Sequence, residues 1–267
     1  MQHTLIEQKQ FKLKPIARFV MGSSSSDGNS CISAVNIVKK FKDKTALNNL
    51  NIRIECGQKV ALLGPNGAGK STALKIISGI LKQDYGEISI RGKPPTDPDS
   101  KRLIGFLPED ASPYPMLSVR ENLEYIGAIR STESLRDRIE ELLDILFLRE
   151  YEKSKVSSLS RGNRQKLSVA LSIIHRPEIM IMDEPLNYLD IPTQESIIEV
   201  FKKMNGTFLV STHIMSIAER LTNRIIMISR GQEVWQGTNS DLKNLGKDGD
   251  SVESIVARMM VNVSENR

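Results

Sequence analysis

Residues 60–72 read VALLGPNGAGKST. The apolar run 60–63 predicts a short strand buried on both faces of a mostly parallel sheet. Residues 64–72 then follow the pattern G-x-x-x-x-G-K-[ST], and LKIISGIL at 74–81 predicts a helix opening from them. Strand, glycine-rich loop and helix, in that order, are the setting in which backbone wraps a polyphosphate. Gly64, Gly67 and Gly69 let N–H groups converge on phosphate oxygens, and the helix adds its positive end. Pro65, Asn66, Ala68 and Thr72 complete the loop. Lys70 is placed to reach the β and γ phosphates, and Ser71 to ligate magnesium. The pattern should arise by chance about 0.01 times in a chain of this length, which leaves a random Gly-rich turn as the weak alternative.

Working outward, short apolar runs recur at 179–182 (IMIM), 207–210 (TFLV) and 224–228 (RIIMI), and β-rich stretches at 33–38 and 51–54. They predict further strands, with Met180 and Met182 in the core. The run at 179–182 ends on Asp183 and Glu184. An apolar strand followed by two acids is by itself only a strand end. Downstream of a phosphate loop it is the expected partner: Asp183 can hold magnesium and Glu184 can polarise an attacking water, at the sheet end where ligands bind in open α/β folds. The middle of the chain, about 113–176, turns helical. Ser118 and Glu121 predict a capping box. Leu123, Ile126 and Ile129 mark one helix, Leu135, Ile139, Leu142 and Leu146 a second, and Leu167, Ala170, Leu171 and Ile174 a third that ends before Pro177. Ser160, in SLSRGNRQK at 158–166, fits the N-cap of the third. It also fits a site where Ser160 and the Gly162 N–H meet a second phosphate group, which would belong to another copy of the chain.

The totals narrow the function classes. The chain has 267 residues, 39% hydrophobic and 26% charged, and no run of about 18 apolar residues. Its net charge of +5 is local: residues 1–44 carry eight Lys/Arg against three Asp/Glu, which leaves 29 of each in 45–267. A neutral body argues against nucleic acid as a partner. The basic N-terminal end reads as a solvated tail or as a segment drawn to an anionic membrane surface. Residues 1–30 end in SSSSDGNS and are expected to be a flexible extension, with Met21 as an alternative start. Two cysteines, Cys31 and Cys56, are expected to be inert thiols in a reducing compartment. Three histidines without metal spacing argue against a transition-metal site.

Taken together, GPNGAGKST, LSRGN at 159–163 and IMIMDE at 179–184 resemble the Walker A, signature and Walker B motifs of the ATP-binding subunits of ABC (ATP-binding cassette) transporters. The resemblance covers about residues 32–245. It implies a P-loop NTPase core of α/β class, with a mostly parallel sheet, an antiparallel edge sheet and the helical subdomain inserted at about 113–176. The cassette would span 31–245 and a C-terminal tail 246–267. By the same resemblance Phe41 stacks on adenine, Glu109 occupies the Q-loop as a magnesium ligand, and Asp190 lies in the D-loop NYLD. His213 contacts the γ-phosphate and steadies Glu184, while Ser160, Gly162 and Asn163 serve the ATP of a second subunit. The implied activity is hydrolysis of Mg-ATP with Glu184, His213 and Lys70 as the catalytic set. The implied assembly is a homo- or heterodimer at the cytoplasmic face of the membrane, driving separate transmembrane permease subunits, in export. Three departures stand out. Glu109 replaces Gln, Arg161 and Asn163 replace Gly and Gln in the signature, and Leu186 and Tyr188 replace the small or polar residues common after Walker B, with Tyr188 expected to reach across the dimer interface. A soluble ABC ATPase and a non-hydrolytic ATP-binding regulator are the alternatives. Against the first, this sequence shows neither the long coiled-coil insertion nor the second cassette that such members carry.

Overall fold

The computed structural model describes residues 29–246 and 251–265. The proposed extension 1–30 lies almost entirely outside them, as does part of the C-terminal tail. The chain enters through β1 (Ser30–Phe41), turns at 42–43 and returns as β2 (Lys44–Glu55). Along β2 the side chains of Leu47, Leu50, Ile52 and Ile54 are buried while most of the residues between them face outward, the alternation expected of a strand with one covered face. β3 (Lys59–Leu63), α1 (Lys70–Ile77) and β4 (Tyr85–Ile90) follow. β4 pairs with β1, giving an antiparallel sheet in the order β2-β1-β4.

The second sheet is six-stranded. It adds β5 (Ile104–Leu107), β6 (Ile179–Asp183), β7 (Thr207–Thr212), β8 (Arg224–Ser229) and β9 (Gln232–Thr238) to β3, in the order β5-β6-β7-β3-β8-β9. All its pairings are parallel except the β8–β9 hairpin at the edge. β6 and β7 are buried along their full length, which explains their uninterrupted apolar sequences. β3 lies between β7 and β8, so the loop after it opens at the same sheet end as Asp183 on β6 and Thr212 on β7. The expected architecture, a mostly parallel sheet with an antiparallel companion and helices, is present.

Between β5 and β6 run α3 (Val119–Ile129), α4 (Leu135–Ile145) and α5 (Arg161–Ile173), after the short α2 (Pro98–Leu103). The Ser118–Glu121 capping box forms in both directions at the start of α3. Leu123, Ile139, Leu142, Leu146, Leu167, Ala170 and Ile174 share one core with Met180 and Met182 of β6. The helices therefore dock directly on the strand that carries the acids. α6 (Ile191–Lys203), α7 (Met215–Leu221), α8 (Asn239–Lys243) and α9 (Val252–Glu265) complete the chain.

One expectation is corrected. Cys31 and Cys56 are not free thiols: they are joined as a disulfide, with Cα atoms 4.8 Å apart. The hairpin register is the reason. Ser30 pairs with Glu55, and Cys56 N–H donates to Asn29 O at 3.0 Å, so the two cysteines close the open end of the β1–β2 ladder.

Candidate active site

The phosphate loop is shaped from three sides. Gly64 leaves β3 where any Cβ would fall inside the van der Waals shell of the Ile228 carbonyl oxygen on β8. Gly69 adopts φ 106°, and a Cβ there would lie 2.6 Å from Ala46 O on β2. Both positions require glycine, one for space and one for conformation as well. The turn between β8 and β9 closes the third side: Gly231 N–H donates to Ala68 O, and Asn48 N–H donates to Gly231 O. α1 begins at Lys70 with no side-chain cap. Its first-turn N–H groups therefore have no partner from their own helix and face the loop.

The cavity in front of the loop, about 450 Å³, brings together residues far apart in sequence. Phe41, Lys44 and Ala46 line it at the antiparallel sheet, Asn66, Gly67 and Gly69 to Thr72 along the loop, and Glu109, Asp183, Glu184, Asn187 and His213 opposite. Phe41 keeps 46% of its surface exposed, a ring with an open face. Lys70 is buried and donates to Gly64 O at 2.7 Å and Pro65 O at 3.2 Å. Its Nζ stands 3.8 Å from Glu184 Oε1. The same carboxylate oxygen is 2.9 Å from His213 Nδ1. Glu184 is itself only 7% exposed and Lys70 is buried, while the His213 side chain keeps 41% of its surface open and bridges this pair to solvent.

Asp183 is 1% exposed. Its Oδ1 accepts from Ser211 Oγ, whereas Oδ2 is buried with no hydrogen-bond partner. Ser211 also accepts from Glu184 N–H at 3.0 Å. A buried carboxylate oxygen without a donor, in a cavity shared with the Ser71 hydroxyl and Glu109, is a donor set suited to a hard divalent cation. Among the described residues no group of three His, Cys, Asp or Glu could hold a metal unaided. A cation here would therefore complete its shell with hydroxyl, water and phosphate oxygens.

The signature residues stand apart. Ser160 caps α5 by accepting from Asn163 N–H at 3.2 Å, and neither Ser160, Gly162 nor Asn163 lines the loop cavity. Asp190 caps α6 by accepting from Thr193 N–H at 2.8 Å, and these side-chain and backbone bonds hold its carboxyl below the usual range. Tyr188 stacks against Arg161 of its own chain and keeps 45% of its surface exposed. Sequence reasoning missed Lys44, Ala46 and Asn187, which line the cavity, and Ser211, which braces both acids. The only signal for Ser211 is its place two residues before His213.

The model of the family described as ABC transporter matches residues 47–187 of this chain. The chain belongs to the ABC transporter family. The linearmycin resistance ATP-binding protein LnrL of Bacillus subtilis is 33% identical over 225 residues, covering 81% of this chain and 72% of that protein. The spermidine/putrescine import ATP-binding protein PotA of Bacteroides thetaiotaomicron is 32% identical, over 86% of this chain and 50% of its own length. Among solved structures, the bacterial ABC transporter cassette MJ0796 in dimeric form superposes with a TM-score of 0.72 at 31% identity, over 78% of this chain and 98% of the cassette. A dimeric post-hydrolysis state of MJ0796, bound to ADP and Pi, superposes with a TM-score of 0.71. This ABC chain is thus an ATP-binding, ATP-hydrolysing transporter subunit.

Proposed function

We propose that two copies of this subunit, or this subunit and a related one, close head to tail on two Mg-ATP molecules and thereby drive export through separate membrane proteins. The observation that carries the reading is the Glu184 carboxylate held by His213 at 2.9 Å and facing Lys70 at 3.8 Å in the cavity of the phosphate loop. Adenine stacks on the open face of Phe41 and the loop N–H groups take the phosphates. Lys70 exchanges its two loop carbonyls for β and γ oxygens, which are stronger acceptors. Ser71, Asp183 and Glu109 would hold magnesium, which would supply positive charge to offset that of the phosphates. Glu184 accepts the proton of the attacking water, and His213 keeps that carboxylate oriented and hydrogen-bonds the γ-phosphate. Ser160, Gly162 and Asn163 of one subunit close over the ATP of the other, and Asp190 lies in the seam. The dimeric form of MJ0796 supports this arrangement.

Docking to the membrane partner is assigned to the surface beside Glu109 and α3. Tyr114 and Tyr125 stack edge to face there at 5.1 Å, and both, with Met116 and Ile129, are exposed. Among the described residues no helix is long and apolar enough to cross a membrane, in keeping with a peripheral subunit on the cytoplasmic face. Export is favoured by the role in the name of the Nod factor export ATP-binding protein I of Burkholderia lata, 32% identical over 76% of this chain, against the import role in that of PotA. The test of hydrolysis is phosphate release by the purified chain beside its Glu184→Gln variant. Turnover lost in the variant with ATP binding retained is the expected result; equal, negligible rates in both would overturn it. Co-purification with a polytopic membrane protein, lost on Tyr114→Asp, tests the docking.

A further inference from the structure

The turn that carries Glu184 is held in an unusual shape. Glu184 has φ 49° and Tyr188 φ 70°, left-handed conformations that non-glycine residues keep only when their surroundings hold them there. The surroundings here are α5. Buried Gln165 donates from Nε2 to Pro185 O at 2.9 Å. Four residues earlier, the guanidinium carbon of Arg161 lies 3.2 Å from the centre of the Tyr188 ring. Gly162 lies against the same turn, where an added Cβ would stand in ordinary contact 3.4 Å from Tyr188 O. Arg161 and Tyr188 also line a second cavity of about 330 Å³ together with Ser71, Glu109 and Asp183. The stacked cation therefore faces the acids on the magnesium side of its own subunit.

We propose that Arg161 and Tyr188 are positioning residues for hydrolysis, a clasp that fixes the Glu184 turn to the N-terminus of α5. The inference rests on the reading in which that N-terminus serves the ATP of a second subunit. With the clasp closed, the helix end that meets the partner's nucleotide and the turn that carries this subunit's general base move as one body. Arrival of a nucleotide at Ser160 is thereby felt at Glu184, although neither Arg161 nor Tyr188 touches the reacting phosphate. Two of the departures from the family pattern, Arg161 and Tyr188, become one compensated pair. A flat guanidinium on an aromatic face is what the geometry uses, so lysine is not an equivalent replacement.

The test compares Arg161→Ala, Arg161→Lys, Tyr188→Ala, Tyr188→Phe and the double alanine variant in steady-state hydrolysis by the full chain. Each alanine substitution is expected to lower kcat about fivefold, the rate equivalent of one cation–π contact, with KM for ATP within about twofold. The double variant should be no slower than either single, because one contact is lost in all three. Tyr188→Phe should keep the rate and Arg161→Lys should not. Multiplying losses in the double variant, a loss confined to KM, or a Tyr188→Phe variant as slow as Tyr188→Ala would each overturn the clasp. Hydrogen exchange of residues 184–190 reads the same contact without turnover. Faster exchange in Arg161→Ala supports the clasp even if wild type and Glu184→Gln prove equally inactive, and unchanged exchange refutes it.

Discussion

Replacing Ser211 with alanine removes a single oxygen, yet two polar groups depend on it. Ser211 Oγ donates to Asp183 Oδ1 and accepts from the Glu184 N–H. Asp183 is 1% exposed and its other oxygen already has no partner. The variant thus leaves a buried carboxylate without the Ser211 donor and a buried N–H without an acceptor. A hydrogen bond to a charged group is worth about 1.5–3 kcal/mol, and an orphaned buried donor costs about 1–3 kcal/mol. Some of this is recovered by water entering from the cavity, so the expected loss is about 3 kcal/mol, a large share of a total stability of roughly 5–15 kcal/mol. Urea unfolding of the full chain should show the midpoint falling with the slope unchanged. Saturating magnesium and ATP should narrow the deficit, because a cation at Asp183 takes over the role of the lost donor. A deficit below about 0.5 kcal/mol, the range of an ordinary surface substitution, would refute the reasoning.

Other outcomes follow from single features. Reducing the Cys31–Cys56 bond, which closes a loop of 25 residues, should cost about 3.5 kcal/mol; an unfolding midpoint indifferent to reductant would exclude the bond in solution. Phe41→Ala should weaken ATP binding about five- to tenfold, the lower end of the worth of one stacked base because the ring is half exposed, measured by fluorescent nucleotide titration, whereas an unchanged affinity would remove Phe41 from the proposed base site. Gly64→Ala should leave the chain insoluble or destabilised by more than about 3 kcal/mol, because β3 cannot move away from the β8 carbonyl. His175 is held neutral by burial, its pKa pushed down to about 4, with Nε2 3.1 Å from Ile104 O. The unfolded chain therefore binds a proton that the folded chain refuses, and stability should fall as pH drops from about 6.5 to 4, by roughly 2 kcal/mol after screening. His175→Gln should flatten denaturation curves taken across that window.

The strand–loop–helix at 60–77 was legible because the chemistry is local: apolar run, glycines, lysine and helix start are contiguous. The same holds for the Ser118 capping box and the amphipathic helices that follow. β1 and β2 were harder. Read as 33–38 and 51–54, they reach 12 residues each, because ladder hydrogen bonds carry the strands through polar positions such as Lys39 and Asn49 that interrupt the apolar pattern. β5 (IGFL) escaped notice because it is four residues long and contains Gly105. That glycine is required there by the Ser172 carbonyl and Pro177 packed against it. In the site, Lys70, Ser71, Asp183, Glu184 and His213 could be named from sequence, whereas Ser211 could not. Its partnership with Asp183 exists only through the β6–β7 register, in which Asp183 lies opposite Ser211. The cysteine pair and the Arg161–Tyr188 stack are likewise products of register and docking, which composition does not reveal.

The seating of the phosphate loop bears on how far it is a separable part. Its walls come from three places: Ala46 on the antiparallel sheet, Ile228 on the parallel sheet, and Gly231 in the β8–β9 hairpin, which is tied to both Ala68 and Asn48. Grafted into another parallel sheet, GPNGAGKST would keep its glycines and its lysine but lose two of those walls. In this chain the nine residues behave less as a motif than as the keystone of an arch. They keep their shape because both sheets lean on them, and the same contacts tie the sheet that carries Phe41 to the sheet that carries the acids of β6.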